Sequence, residues 1–245
     1  MWKQTKSALK TALNKSLGRP TNDLQINFEY LKKTQNEQFP VYFNACGKQF
    51  ILRENVMDPR TFISIGEISQ ELPLSKGMTF LEMGCGAGVG AVYAALQGCS
   101  KVVAIDINED AVKNTAENAK LHGVSHIVDA RLGNLFSPVK KDEKFDLIFW
   151  NVPWIGDDPG KELTPLEMSV IDPDYKDTLR YAKFGRNYLT EKGRLLFGFG
   201  ASVGDIDKLN EQLIINDMSI ALLKTINAVS PVNDVVHVDL YEVII

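Results

Sequence analysis

The chain has 245 residues, a formal net charge of -4, and 44% hydrophobic and 24% charged residues, the proportions of a globular protein large enough to bury a substantial core. That balance gives no global attraction for nucleic acid or an anionic membrane, and with no 18-residue apolar run and no signal-like start the expectation is a cytoplasmic protein without a membrane span or secretory leader. Three scattered cysteines, Cys46, Cys85 and Cys99, are too few for a disulfide framework or a zinc site and read as reduced thiols.

Residues 1–20 carry Lys3, Lys6, Lys10, Lys15 and Arg19 without an acid, and Leu9, Leu13 and Leu17 repeat at helical spacing. They predict a basic amphipathic helix, either packed by its leucine stripe or touching RNA, a membrane surface or a partner. Residues 21–38 are polar and read as a connector. Val41–Phe43 and Gln49–Leu52, two β-prone runs around Asn44-Ala-Cys-Gly47-Lys, predict a hairpin. Asp58-Pro59 opens a predicted helix through about Glu71, since Pro is tolerated in a first turn and Phe62, Ile65, Ile68 and Leu72 keep helical spacing.

From Met78 onward strands and helices alternate. Met78-Thr-Phe-Leu-Glu82 runs into Gly84-Cys-Gly86-Ala-Gly88 and then the helical Ala91–Leu96, giving strand, tight turn and helix start. Next come a strand at Lys101–Asp106, a helix at Asn108–His122, and strands at His126–Leu132 and Phe145–Trp150. Helices at about 174–189 and 204–216 follow, with strands at Arg194–Phe199, Ile220–Thr225 and Val235–Val243. The alternation predicts a Rossmann-like α/β fold: a mainly parallel seven-stranded sheet covered on both faces. The last two strands are joined too briefly for a crossover and should pair antiparallel. Domain boundaries follow: residues 1–57 as an N-terminal extension of helix, connector and hairpin, and 58–245 as the Rossmann-like domain.

In such sheets ligands bind at the carboxyl ends of the strands, and the unusual residues gather there. Glycine at 84, 86 and 88 allows a tight turn and close approach of a ligand to the backbone, while the following helix start offers free N–H groups to an anion. Glu82 sits in the turn, where its carboxylate can take backbone or ligand N–H bonds. Asp106, 20 residues past Gly86, is placed either to hold the two hydroxyls of a ribose or to cap the next helix, a role also open to Asn108. Asn134 offers an amide for an adenine edge or a turn beside Gly133. Ile107 and Leu135, next to Asp106 and Asn134, complete the candidate cofactor set.

The residues at 84, 86 and 89 miss the third glycine of the dinucleotide fingerprint. The loop from Glu82 to Gly88 instead resembles the acid-x-Gly-x-Gly-x-Gly loop of class I S-adenosylmethionine-dependent methyltransferases. The resemblance covers roughly residues 58–245. It implies S-adenosylmethionine as cofactor and S-adenosylhomocysteine as product, with the loop at the methionine end and Asp106 at the ribose. Asn134 stands where that family commonly has Asp, so it keeps an acceptor for the adenine amino group and loses the charge.

Asn151-Val152-Pro153-Trp154 resembles the Asn-Pro-Pro-aromatic motif of the family members that methylate planar nitrogens, including the glutamine amide. A planar NH₂ is a poor nucleophile until acceptors on its hydrogens draw its lone pair out of conjugation. The Asn151 side-chain oxygen and the carbonyl of Val152 suit that task, and Trp154 would stack on the planar group. Val152 replaces the family's first proline, but it still precedes Pro153 and keeps an extended bias. Val56-Met-Asp-Pro59-Arg60-Thr61 faintly resembles the Pro-Arg segment of the release-factor glutamine methyltransferases, without the glutamate that usually follows.

Residues 155–176 form a long acidic segment, with Asp157, Asp158, Glu162, Glu167, Asp172 and Asp174 against Lys161 and Lys176. A loop of that length beside a reaction centre reads as a substrate lid or a solvated surface loop. Its charge disfavours phosphate-rich substrates. The expected function is methyl transfer from S-adenosylmethionine to nitrogen of an amide, amine or guanidine on a small molecule or protein. No metal is implied, since His122, His126 and His237 lack ligand spacing. Methylation of an RNA base, with residues 1–20 as the basic contact, is the alternative enzyme. A noncatalytic cofactor-binding or partner module is the alternative of another class.

Overall fold

The computed structural model of the protein describes residues 24–61, 64–229 and 235–244; the expected basic helix at 1–20 lies outside them. The element order is α1 (Leu24–Thr34), β1 (Val41–Ala45), β2 (Lys48–Leu52), α2 (Ile65–Glu71), β3 (Thr79–Met83), α3 (Val89–Leu96), β4 (Lys101–Asp106), α4 (Glu109–Leu121), β5 (Val128–Leu132) and β6 (Phe145–Asn151). It continues with α5 (Lys176–Gly185), β7 (Leu189–Phe199), α6 (Ile206–Ile215), β8 (Ser219–Val229) and β9 (Val235–Ile244).

Strands β3, β4 and β6 are near-continuous apolar runs because both faces of the sheet are covered. Phe80, Leu81, Val102, Val103, Ile105, Ile148 and Phe149 have no solvent exposure. One face packs against α2, α3 and α4 through Ile68, Ala91, Val92 and Ala119. The other packs against α5 and α6 through Tyr181, Ala182, Leu209 and Leu213. The sheet order is β5-β4-β3-β6-β7-β9-β8, parallel from β5 through β7. Strand β9 runs antiparallel to both neighbours, so the expected fold, antiparallel final pairing included, is the observed one. The order reverses between β3 and β6, which opens the crevice where such sheets bind ligands.

The β1–β2 hairpin forms as expected and docks on α4. Asn114 and Asn118, one helical turn apart, act as a substitute strand for the outer edge of β2. The Ile51 N–H donates to Asn118 Oδ1 at 2.8 Å, the Ile51 carbonyl accepts from both asparagine amides, and the Arg53 N–H donates to Asn114 Oδ1 at 3.0 Å. Both asparagines are fully buried, as side chains must be when they satisfy backbone groups in a core.

Several local expectations need correction. The polar stretch 21–38 contains α1, held by packing of Leu31 and Phe28 onto Ile155, Val170 and Ile171. Tertiary contact makes a helix there that its own periodicity does not announce. The helix expected from Asp58-Pro59 begins only at Ile65. The Asp58 carboxylate accepts from the Arg60 N–H at 2.8 Å and from its guanidinium at 2.7 Å, a local turn that competes with helix formation. Strand β5 starts at Val128 because the Ile127 and Val128 N–H groups close a turn onto the Val124 carbonyl. Asp174 and Tyr175 have φ of 54° and 53°, which ends the expected helix extension and leaves α5 to start at Lys176.

Candidate active site

The turn after β3 needs glycine at three positions for different reasons. Gly84, Gly86 and Gly88 have φ of 61°, 53° and 78°, the left-handed region that other residues resist. A Cβ on Gly84 would fall 2.5 Å from Trp150 Nε1, and one on Gly88 2.9 Å from Thr115, whereas one on Gly86 would meet nothing within 4 Å. Two glycines are packing requirements. The third leaves open room for a ligand against the backbone.

Glu82 sits 1% exposed under the start of α3 and accepts the Ala91 N–H at 2.7 Å. A Cβ on Gly90 would overlap its carboxylate, which explains the fourth glycine of the run. The structure does not bring Glu82 to the cavity wall. Burial pushes its carboxyl up to about 8, with Asp106 adding to the rise and the Ala91 bond opposing it. An acid whose folded pKa is raised stabilises the fold fully below its unfolded pKa, near 4.5, and loses that contribution as pH rises through about 8. The melting temperature of the wild type should therefore fall from pH 5 to pH 8.5, and Glu82→Gln should flatten that slope. Parallel melting curves for the two proteins across the series would contradict the assignment.

At the end of β4, Asp106 Oδ2 accepts the Gly86 N–H and Oδ1 the Asn108 N–H, each at 2.9 Å. Burial raises its pKa, opposed by the bonds from Asn108, Gly86 and Ile107. The cap of α4 is Asn108, whose side chain accepts from Asp110 at 3.0 Å. Asp106 is thus released from capping, ties the glycine turn to β4 and still faces the cavity. Ile107, Asn134 and Leu135 line the same cavity, and Leu135 turns into it with φ 48°.

At the end of β6 the Asn151–Trp154 segment divides two cavities. Gly84, Gly86, Asp106, Ile107, Asn134, Leu135, Asn151 and Pro153 share the larger one, about 130 Å³. Gly88, Val152 and Trp154 are not on its wall. Val152 is buried and donates its N–H to the Gly198 carbonyl at 3.2 Å, which holds the segment to β7. A smaller cavity, about 30 Å³, lies on the other side of Asn151 and is walled by Val152, Trp154 and Ser64. Asn151 Nδ2 donates to Ser64 Oγ at 3.1 Å, while its Oδ1 is buried with no hydrogen-bond partner among the described residues.

Trp154 corrects the expected stacking arrangement at the larger cavity. Its indole packs over Gly200, where any Cβ would overlap the ring, and joins both apolar cores. The Tyr175 hydroxyl fixes its carbonyl at 3.1 Å. Its Nε1 is a second buried polar atom without a partner among the described residues, beside the same small cavity as Asn151. An acceptor and a donor, both unsatisfied, therefore flank one small space, and an unpaired buried polar atom is costly unless something binds it.

Residues that sequence patterns did not single out complete the walls. Ser64 orients Asn151, and Met57 lines both cavities. The acidic segment closes one side of the larger cavity with Pro165, Leu166, Met168 and Ile171. Much of its charge is spent locally: Glu167 pairs with Lys161, Asp174 with Lys208, and Asp172 caps α5 through Asp177 and Thr178. Only length and position hinted that this segment borders the cavity, and nothing in the sequence marks Ser64.

A parallel sheet with a cavity at its switch point, walled by a glycine turn and the acid ending the next strand, defines an α/β ligand-binding domain. A family model described as a methyltransferase domain matches residues 74–227, and the chain belongs to that family. It is similar to the release factor glutamine methyltransferase of Aquifex aeolicus, 29% identical over 63% of this chain and 67% of that protein. It is also similar to the ribosomal protein L11 methyltransferase of Lactobacillus johnsonii, 30% identical over 63% of this chain and 41% of that one. Among solved structures, the M. jannaschii tRNA m1G37 methyltransferase superposes with a TM-score of 0.58 at 17% identity, covering 85% of this chain and 58% of that one. This shows a shared fold. The matches span between about two fifths and two thirds of these relatives' lengths.

Proposed function

We propose that the protein transfers a methyl group from S-adenosylmethionine to the nitrogen of a carboxamide on a protein substrate. The observation that carries this reading is the buried Oδ1 of Asn151, which has no hydrogen-bond partner among the described residues, on a residue that lines both the glycine-turn cavity and the small second cavity. Residues fit for the cofactor are present. Gly86 leaves open space at the turn, and the Asp106 carboxylate, with about four acceptor sites, keeps capacity for a ribose hydroxyl beside the backbone N–H groups of Gly86, Asn108 and Ile107. Ile107, Asn134 and Leu135 supply the remaining wall. The bound cofactor supplies an electrophilic methyl group on a sulfonium.

The chain's own part is to bind and orient the nitrogen. Asn151 Oδ1 accepts a hydrogen of the NH₂ and gains strength as that nitrogen turns positive, so it favours the transition state over the ground state, and the methylated nitrogen then releases its proton to solvent. Ser64 fixes the amide plane of Asn151. Trp154 Nε1 offers a donor on the same small cavity, and a carboxamide presents the matching pair: an N–H donor for Asn151 and a carbonyl acceptor for Trp154. An ammonium or guanidinium group has no acceptor, so it would leave the indole N–H buried and unpaired at a cost of about 1–3 kcal/mol. Relatives named for a release-factor glutamine and for a ribosomal protein support a protein substrate.

Within the extension at 1–57, the described residues 24–57 complete in this reading the acceptor side of the domain at 58–245, with Arg53 paired to Glu117 and Met57 on both cavity walls. Free thiols at Cys46, Cys85 and Cys99 suit a cytoplasmic site of action. Calorimetry provides the first test. S-adenosylmethionine and S-adenosylhomocysteine should bind and NADH should not; NADH binding without S-adenosylmethionine binding would end this account.

A further inference from the structure

The hairpin leaves one strand edge unused. Ile51 turns both its N–H and its carbonyl toward α4, where Asn114 and Asn118 bond them, and the Gln49 carbonyl meets His122 Nε2 at 3.0 Å. Their partners across the antiparallel pair are Tyr42 and Asn44. In an antiparallel ladder, opposite residues either exchange both backbone bonds or both turn away. Tyr42 and Asn44 therefore direct their N–H and carbonyl groups outward from β1, where no backbone partner occurs among the described residues. Both residues are exposed, Tyr42 by 58%.

An open groove of about 540 Å³ borders this edge, with Asn44 and Ala45 on one wall and Arg60, Ser64 and Glu67 on the other. It shares lining residues with the two cavities of the site. Ser64 also lines the small cavity and bonds Asn151, while Pro59 and Ile65 also line the larger cavity. We propose that the substrate polypeptide docks here as an extended segment added to the outer edge of β1, delivering one side chain past Ser64 to Asn151. This rests on the carboxamide reading of the site.

Three observations select an extended polypeptide. The free groups are a donor–acceptor set at strand spacing, which main-chain amides match and a small molecule does not. The groove walls mix apolar residues such as Phe43, Pro59 and Ile65 with one charge of each sign, Arg60 and Glu67, and Arg60 is already paired with Asp58 and Glu37, so no polyanion is favoured. And one residue of the groove wall, Ser64, bonds the catalytic amide, so a chain lying in the groove is held near the reacting nitrogen, the condition for an efficient transfer. Because recognition is by backbone, it tolerates many flanking sequences.

The test uses the full chain with S-adenosylhomocysteine and a synthetic acetylated decapeptide carrying a central glutamine between alternating Thr and Val. Hydrogen exchange at the Tyr42 and Asn44 amides should slow at least about tenfold on adding the peptide. The same peptide N-methylated at every second backbone nitrogen should give no protection. In turnover with S-adenosylmethionine, Asn44→Pro, which removes an outward N–H without breaking the β1–β2 ladder, should raise KM about tenfold with kcat little changed. Unchanged exchange at both amides, or equal protection by the N-methylated peptide, would overturn the docking proposal even if the glutamine were methylated. Protection without methylation at nitrogen would instead overturn the carboxamide reading and leave the docking edge standing.

Discussion

Asn151→Ala should lower kcat by ~10²–10³-fold while the affinity for S-adenosylmethionine changes little. The side-chain oxygen is buried and has no partner among the described residues, and the residue lines both cavities. Its acceptor strength is drawn on as positive charge develops at the nitrogen, so its loss falls on the chemical step. Truncation also frees Ser64 Oγ from its 3.1 Å bond, a small structural effect that a melting curve will separate from catalysis. A single-turnover measurement at saturating cofactor reads the chemical step directly. Full activity in Asn151→Ala would reduce Asn151–Trp154 to a turn between β6 and the acidic segment.

Asp106→Ala is expected to weaken S-adenosylmethionine binding by about 1.5–3 kcal/mol, the value of charge-assisted hydrogen bonds to two hydroxyls. Two further consequences follow from the geometry. Asp106 Oδ2 holds the Gly86 N–H at 2.9 Å, so its removal also loosens the one glycine of this turn, among Gly84, Gly86 and Gly88, whose Cβ direction is open. The cap of α4 survives, because Asn108 carries it. The melting temperature should therefore change less than the binding does. Calorimetric titration beside a thermal scan checks both; unchanged affinity with a much lower melting temperature would make Asp106 a structural brace only.

The sheet was readable in the sequence because its central strands are buried on both faces, and burial writes itself as apolar runs at Phe80–Leu81, Val102–Ile105 and Leu147–Trp150. The cofactor side of the site was readable for a related reason: a strand end followed by glycine needs a turn with few solutions. The acceptor side was less so. Helix α1 and Ser64 owe their places to contacts made across 87 residues or more, such as Ser64 with Asn151, and no local spacing encodes these. Trp154 shows the limit in another way. Its presence after Pro153 suggested stacking, but Gly200, 46 positions later in the sequence, opens the space into which the ring turns. Glu82 likewise belongs to the fold beneath α3, because Gly90 leaves room for its carboxylate there.

The most direct measurement of the central claim is the position of the transferred methyl. Purified wild type and Asn151→Ala are incubated with methyl-labelled S-adenosylmethionine and a cell-extract protein fraction, and the labelled peptides are fragmented to find the modified atom. The account predicts label on a carboxamide nitrogen with the wild type and at least ~10²-fold less with the variant. Label on oxygen or carbon, or equal labelling by the two proteins, would contradict it.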